Sequence, residues 1–185
     1  KKKCISYQLI KMRHHMEQKG YKAVQCTRGR EWILRISTGQ DVYDGIQQFA
    51  KDNNIRFAQI HTAFMGGFEP ARMLIWTPDS TDPDNWHHET PMDIQNLTML
   101  LSMGGFIHLR ENEEGKEEPF SAIHYIVGAA WNAPIWGGHL IQGTIAKGNM
   151  EVFITEILGI DPIMEDNVNI GAPENWYIES NSSVK

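Results

Sequence analysis

The pattern that most restricts the fold of this chain is a series of short apolar stretches, each ended by glycine, proline or charged residues. Trp32, Leu34 and Ile36 alternate with their neighbours, as expected for a strand with one buried face. Comparable stretches cover residues 55–68, 71–76, 94–110, 120–128, 137–146 and 150–158. The Pro- and Asp-rich residues 77–91 and the charged residues 111–118 are predicted to be loops. The chain is therefore predicted to fold mainly as β-strands.

One segment has helical spacing instead. Val42, Ile46 and Ala50 recur at the interval of one helix face, so residues 41–53 are predicted to form an amphipathic helix. A helix near the start followed by many strands is typical of an α+β fold. We therefore expect a mostly antiparallel central sheet with a few flanking helices.

Length and charge divide the chain into three parts. The 185 residues suit one main domain, which we place at residues 31–160. Residues 1–30 are predicted to be a basic N-terminal extension, and residues 161–185 a C-terminal tail that wraps the surface or a neighbouring chain. The first 35 residues hold ten Lys or Arg and two Glu, whereas the remainder holds seven basic and twenty-one acidic residues. The net charges of the two parts are thus +8 and −14.

This charge distribution bears on nucleic-acid binding. A body with a net charge of −14 is a poor electrostatic match for DNA. The basic extension could still contact phosphate, and Arg28-Gly29-Arg30 resembles the core of a minor-groove hook. That core normally continues with proline in a disordered basic segment, whereas here it runs into a predicted strand. We therefore prefer chance as the explanation of the motif, and keep a DNA-associated regulator as an alternative function.

The sequence carries no sign of a membrane protein. No stretch reaches the roughly 18 consecutive apolar residues of a membrane-spanning helix. The two cysteines, Cys4 and Cys26, have neither a disulfide framework nor zinc-ribbon spacing. We expect a cytoplasmic protein that does not contact a membrane. Removal of a leader segment stays open, since the chain begins at Lys1 rather than at methionine.

Two histidines, His124 and His139, lie in successive apolar stretches with a turn between them. An imidazole in an apolar strand needs hydrogen-bond partners, because each unsatisfied buried group costs about 1–3 kcal/mol. Histidines on adjacent strands can share partners by converging on one ion, water or ligand. We predict that both face one polar pocket near a subunit boundary, where Gly137 and Gly138 leave an approach open. The alternative is two ordinary histidines in separate parts of the core.

Four blocks of sequence resemble a known family. They are RISTGQDVYDGIQQFAKDNNIRFAQIHTAFMGGFEPARM, PFSAIHYIVG, GGHLIQGTI and MEVFITEI, in this order. Together they resemble the plant and prokaryote conserved domain, or PPC domain, over roughly residues 32–158. The resemblance implies a compact α+β domain that usually forms a homotrimer. In plants the domain is fused to minor-groove hooks in transcriptional regulators, whereas in bacteria and archaea it stands alone without a settled biochemical role.

The resemblance also implies a metal site. The PPC fold is similar to that of acetolactate decarboxylase, a zinc enzyme with a His-x-His pair on one strand and a third histidine on the next. Many prokaryotic PPC domains carry Pro-Phe-x-His-x-His ahead of Gly-Gly-His. Here Ala122 stands in place of the first histidine, while His124 and His139 match the other two. Zinc is therefore the implied cofactor, but a catalytic zinc usually has three protein ligands.

A hairpin around the charged loop offers a third ligand. If the loop is symmetric, the numbers of paired residues sum to about 230, which places His108 opposite Ala122 and Phe106 opposite His124. Directly opposed residues share a sheet face, so His108 is predicted to complete the site. His61, at the end of another predicted strand, is a weaker substitute.

Arg110 lies two residues from His108 and is assigned to the same pocket, because a guanidinium suits an anionic substrate. Its alternative role is a salt bridge to Glu117 or Glu118 across the hairpin. Three functions stay open: a metal-dependent enzyme or small-molecule binder, a DNA-associated regulator, and a non-catalytic interaction module. We expect a PPC-like homotrimer of unsettled activity, with a histidine-containing pocket that binds a metal or a small ligand.

Overall fold

The computed structural model describes residues 23–78, 87–112, 114–129, 134–167 and 172–180. The basic extension predicted at residues 1–30 lies mostly outside these ranges. In chain order the elements are β1 (Thr27–Ile36), α1 (Val42–Asp52), β2 (Ala58–Phe64), β3 (Gly67–Phe68), β4 (Ala71–Pro78), β5 (His87–Ile94), β6 (Thr98–Glu111), β7 (Glu117–Ala129), β8 (Ile135–Leu140), β9 (Ala146–Lys147), β10 (Met150–Leu158), β11 (Ile160–Asn167) and β12 (Ala172–Glu179).

Most of the strands join in one sheet. Its order is β1-β10-β2-β6-β7-β8-β4-β5, each neighbouring pair is antiparallel, and the short β3 and β9 attach beside β6. The predicted antiparallel sheet is thus confirmed. Where a few flanking helices were predicted, the described residues contain α1 alone, so the described part of the chain is dominated by its sheet. Elsewhere the apolar residues repeat with a period of two, which favours strand pairing over helix. Within the described residues, no helix has the length and apolar character needed to cross a membrane.

The helix α1 occupies the predicted segment. Its N-cap is Asp41, whose side chain accepts hydrogen bonds from the backbone N–H of Asp44 at 3.1 Å and of Gly143 at 2.5 Å. Val42, Ile46 and Ala50 are fully buried. The cap therefore ties the start of α1 to the turn after β8, and the apolar face of the helix packs on the sheet.

The sheet has a buried core face and a second face that is largely exposed. On β7, Ile123, Tyr125 and Val127 are buried with the apolar side of α1, while His124 and Ile126 between them are exposed. This alternation follows from the period of two in a strand. We call the face that carries His124 and Ile126 the outer face.

The segment predicted to be a C-terminal tail contains regular structure. Within the described residues, β11 and β12 pair with each other in a separate two-stranded sheet. The ring of Tyr177 on β12 lies 4.6 Å from that of Phe57, and Phe57 stacks at 5.7 Å on Phe106 of the outer face. This hairpin therefore contacts one end of the outer face.

Two predicted loops are shorter than expected. The end of β4 and the start of β5 fall within residues 77–91, where Thr77 pairs with His88, and residues 79–86 lie outside the described ranges. The charged loop is reduced to residues 112–116, because the backbone N–H of Asn112 donates to the oxygen of Lys116 and the backbone oxygen of Asn112 accepts from the N–H of Gly115. Its side-chain oxygen also accepts from the backbone N–H of Lys116 at 3.0 Å.

This tight turn changes the predicted register of the β6–β7 hairpin. Paired residue numbers sum to 228 rather than 230, so His108 pairs with Phe120, and Gly104 with His124. The expected pairing of His108 with Ala122 is wrong, because the turn closes around Glu114 instead of one residue later. A shift of this size preserves the face of each residue but moves it one row along the sheet.

The two adjacent glycines of β6 provide a matched test of this packing. A Cβ on Gly105 would lie 2.1 Å from the backbone oxygen of Ala122, whereas a Cβ on Gly104 would meet nothing closer than 3.6 Å. We expect Gly105→Ala to lower the free energy of unfolding by about 1–3 kcal/mol, and Gly104→Ala to change it by less than about 0.5 kcal/mol. Urea denaturation of both variants measures the difference, and equal effects would contradict the register.

Candidate functional site

His124 and His139 lie side by side on the outer face. They are register partners on β7 and β8, their ring centroids are 5.4 Å apart, and the ring planes meet at 79°. His124 is exposed and His139 is half-buried. The structure therefore brings these two residues together on an open sheet face rather than in separate parts of the core.

The glycine pair beside His139 allows β8 to fit between β7 and β4. A Cβ on Gly138 would lie 2.6 Å from the backbone oxygen of Leu74, and one on Gly137 would lie 3.3 Å from that of Tyr125. Gly138 pairs with the buried Tyr125, so it serves strand packing on the core face. Gly137 pairs with Ile126 and leaves the outer face open two residues from His139.

The geometry of the histidine pair suits a shared metal ion. With a zinc–nitrogen distance of about 2.1 Å and tetrahedral angles, two imidazoles on one zinc have centroids about 5 Å apart, close to the 5.4 Å observed. Burial lowers the pKa of His139, and the neighbouring His124 lowers it further. This favours the neutral imidazole, which can bind a metal. The part of the chain that the structure describes holds no group of three His, Cys, Asp or Glu side chains arranged around one point.

His108, the predicted third ligand, lies away from the pair. It is 1% exposed, its ring packs edge-on at 5.2 Å against Phe120, and its Nδ1 lies 3.1 Å from the backbone oxygen of Leu109. Phe120 is four residues from His124 along β7, which corresponds to about 13 Å. Burial lowers the pKa of His108. His108 is therefore a buried histidine packed against Phe120 at one end of the sheet, not a member of the open histidine pair.

His61, the weaker candidate, lies on the outer face at β2. Its Nε2 shares a 2.7 Å hydrogen bond with Thr155 Oγ1. Thr155 is almost fully buried; it also accepts from Arg28 Nη2 at 3.3 Å and donates to Glu31 Oε1 at 3.4 Å. These side chains line a cleft of about 320 Å³ together with Trp32, Ile33, Phe153 and Ile154.

A row of residues across the sheet connects His61 with the histidine pair. Ile60 pairs with Gly105, so the next residues along, His61 and Gly104, are neighbours, and Gly104 pairs with His124. His61 therefore lies three strands from His139, about 14 Å away, and its ring turns from the pair toward Thr155 on β10. Sequence reasoning missed this row, because β2 and β6 are distant in the chain; the glycine pair in the middle of β6 was the available signal.

Arg110 does not form the expected salt bridge. Its guanidinium lies 3.9 Å from the centre of the Phe120 ring. The carboxylate of Glu118 instead pairs with Lys51 at 3.3 Å, and that of Glu117 with Arg56 at 3.6 Å. Phe120 and His124 lie an even number of residues apart on β7, so Arg110 packs on a side chain that faces the same way as His124.

The Arg28-Gly29-Arg30 motif is used within the domain. Arg30 donates to both carboxylate oxygens of Glu156 at 2.8 Å, and Arg28 forms an ion pair with Glu31. Gly29 makes room for this arrangement, because a Cβ there would lie 2.9 Å from Glu156 Oε2. The motif therefore joins β1 to β10, and both guanidinium groups have carboxylate partners.

Comparison with known proteins identifies the fold. The sequence profile of the Plants and Prokaryotes Conserved (PCC) domain matches residues 23–158. No curated protein sequence matches the chain. A metal-containing protein from Archaeoglobus fulgidus has a similar structure, with a TM-score of 0.64, 22% identity and coverage of 82% of this chain and 96% of that one.

Two further solved structures are similar. A PPC protein from Pyrococcus horikoshii has a TM-score of 0.64 and 19% identity, over 83% of this chain and 97% of that one. A candidate DNA-binding protein from Bacteroides thetaiotaomicron has a TM-score of 0.59 and 16% identity, over 84% and 99% of the two chains. At sequence identities of 16–22%, the similarity to these three structures shows a shared fold.

The lowered pKa values of His139 and His108 predict how stability depends on pH. The unfolded chain binds protons at these positions at a higher pH than the folded chain does, so the free energy of unfolding should fall as the pH drops below about 6.5. In metal-free protein, His139 should titrate below that value by NMR, and His124→Gln should raise its pKa by removing the neighbouring charge. An unchanged His139 titration in that variant would contradict the coupling.

Proposed function

Since the chain belongs to the Plants and Prokaryotes Conserved (PCC) domain family, which is the PPC domain, we propose that it is a self-associating protein that binds a metal ion at His124 and His139. The observation that carries this proposal is the pairing of two imidazoles directly opposite each other, with centroids 5.4 Å apart. Zinc is the metal that we expect, because imidazole nitrogens are among its common protein ligands.

The bound metal would hold a small ligand and act as a Lewis acid on a carbonyl or carboxylate oxygen. The residues of the chain have separate roles. His124 and His139 supply nitrogen ligands, Gly137 leaves the outer face open beside them, and Arg110 adds a positive charge that favours an anionic ligand. The structurally similar protein from Archaeoglobus fulgidus is metal-containing, which supports the proposal that this chain binds a metal.

Self-association is supported by the apolar character of the outer face around the histidines. Trp76, Phe106, Ile126 and Ile135 are 59%, 43%, 42% and 68% exposed. Large exposed apolar areas of this kind mark surfaces that are covered by a partner. We propose that the partner is another copy of the same chain. The resemblance to the PPC domain leads us to expect a trimer.

Light scattering tests the assembly. We expect a mass near three chains of 21.2 kDa, and we expect Ile126→Lys to dissociate the trimer because it places a charge in the apolar surface. Gln48→Lys, which adds the same charge on the exposed side of α1, should leave the mass unchanged. A stable mass of one chain for the unaltered protein would refute the proposal.

Elemental analysis of protein purified without an affinity tag tests the metal. We expect zinc in the unaltered chain and none in His139→Ala, and we expect Ala122→His to strengthen binding by adding a ligand on the same face of β7. Zinc affinity should fall as the pH is lowered, because protons compete for the imidazoles. Absence of any metal, or full retention of zinc in His139→Ala, would leave a non-catalytic interaction module as the better assignment.

DNA binding through the basic extension is a second candidate function. It is favoured by the similarity in structure to the candidate DNA-binding protein from Bacteroides thetaiotaomicron. The residues of the extension that the structure describes argue against DNA binding, because the guanidinium groups of Arg28 and Arg30 are paired with carboxylates. We expect only weak binding that is insensitive to base sequence and is lost with rising salt. A sequence-dependent footprint tighter than about micromolar, abolished in the double variant Arg28→Ala with Arg30→Ala, would reverse this ranking.

A further inference from the structure

We propose that the cleft formed by β1, β10 and β2 on the outer face binds a small zwitterion, an α-amino acid with an apolar side chain. The cleft has a volume of about 320 Å³, at the lower end of the range of about 300–1,000 Å³ that is usual for small-molecule pockets. The strand β6 separates it from β7, the nearer strand of the histidine pair, so this site does not depend on the proposed metal.

A bulge in β1 brings two opposite charges together in this cleft. Arg28 pairs with Ile157 of β10. Glu31, three residues further on, pairs with Thr155, so two residues of β1 lie opposite one residue of β10. In a regular strand, residues three positions apart point to opposite faces. Because of the extra residue, the side chains of Arg28 and Glu31 both reach Thr155 Oγ1, at 3.3 Å and 3.4 Å.

A second bulge, in β2, adds a histidine from the other side of β10. Phe153 of β10 pairs with Thr62, but the next residue of β10 pairs with Ile60. His61 is therefore an extra residue of β2, and its Nε2 lies 2.7 Å from Thr155 Oγ1. Bulges are frequent next to active sites, where they redirect a side chain. Two bulges that direct side chains to one hydroxyl indicate a binding site rather than ordinary strand pairing.

Thr155 forms the floor of the cleft and fixes the groups around it. It is 3% exposed, and its hydroxyl has one hydrogen and two lone pairs. A guanidinium only donates and a carboxylate only accepts, so the hydroxyl accepts from Arg28 and donates to Glu31. Its second lone pair accepts from Nε2 of His61. The hydroxyl is thus fully used within the protein, and the charged ends of Arg28 and Glu31 are the groups that a ligand can bind.

The ion pair between Arg28 and Glu31 opens easily. Their side chains are 67% and 59% exposed, and an exposed ion pair contributes little to stability because water screens it. A ligand carboxylate can take the place of Glu31 at the guanidinium, while a ligand ammonium takes the place of Arg28 at the carboxylate. One ion pair is then replaced by two. A simple anion or a simple cation would leave one of the two protein charges without its counterpart.

The apolar wall of the cleft lies one step along the same strands. Ile33 and Phe153 are register partners on β1 and β10, two residues from the pair formed by Glu31 and Thr155. Two residues of a strand span about 7 Å, which a leucine-sized side chain can bridge when its charged end lies at Glu31. Ile33 is 64% exposed, so a ligand that covers it removes apolar surface from water.

Calorimetric titration of the full chain with leucine tests the site, and two analogues of leucine test the recognition of its charges. Isocaproate lacks the ammonium group and isoamylamine lacks the carboxylate, while both keep the branched side chain. We expect saturable binding of leucine and binding of each analogue that is weaker by about 10-fold or more, because each analogue leaves one protein charge unpaired.

Two variants connect each ligand charge to its protein partner. Arg28→Gln should bind leucine no more tightly than isoamylamine, and Glu31→Gln should bind leucine no more tightly than isocaproate. A variant that only disturbs the shape of the cleft would weaken all three compounds alike. Arg35→Gln is the matched control, because it removes a positive charge from another exposed position of β1 and should leave leucine binding unchanged.

The outcomes are separate from those of the metal site. His139→Ala, which should lose zinc, should bind leucine as the unaltered chain does. The zwitterion site is refuted if leucine shows no saturable binding up to about 10 mM, or if either analogue binds as tightly as leucine. It is also refuted if Arg28→Gln and Glu31→Gln both keep the preference of the unaltered chain for leucine over the two analogues.

Discussion

The burial of alternate side chains on β7 is the constraint from which the outer face arises. Ile123, Tyr125 and Val127 are at most 1% exposed and belong to the core beneath α1. A strand has a period of two, so the residues between them must point the other way. The position of His124 on the open side of the sheet is thus a consequence of three apolar neighbours rather than of any contact that the imidazole makes.

Tyr125 secures the strands on the far side of this arrangement. Its buried hydroxyl donates to the backbone oxygen of Arg72 at 2.8 Å, and its ring packs edge-on against Phe68 at 5.3 Å. Burial raises the pKa of the hydroxyl, so it remains a hydrogen-bond donor at any ordinary pH. One core residue therefore connects β7 to β4, which flanks β8 and its histidine on the other side.

The elements defined by local pattern could be predicted from the sequence. The helix followed from apolar residues such as Val42 and Ile46, and the adjacency of His124 and His139 from a short turn between two apolar stretches. The row through His61 and Gly104 could not be predicted, because it depends on pairing between β2 and β6, which are far apart in the chain. Register is set by turn geometry and by packing, and neither is contained in residue spacing.

The same limit explains the error in the predicted pairing of His108 and why the partners of the Arg28-Gly29-Arg30 motif could not be predicted. The position of His108 depended on where the loop around Asn112 closes, and a change of one residue in the turn centre moved it by one row. The role of Arg30 depended on Glu156, a partner 126 residues away in sequence.

The position of His124 next to Ile126 has a thermodynamic consequence. The two are successive outward residues of β7, so any protein surface that covers Ile126 also removes water from around the imidazole. Desolvation disfavours the protonated imidazole and strengthens its attraction for a cation. In the assembly and metal site that we propose, subunit association and ion binding at this face would be linked equilibria. The factor by which the ion strengthens association would equal the factor by which association strengthens ion binding, so the apparent affinity of each would depend on the concentration of the other.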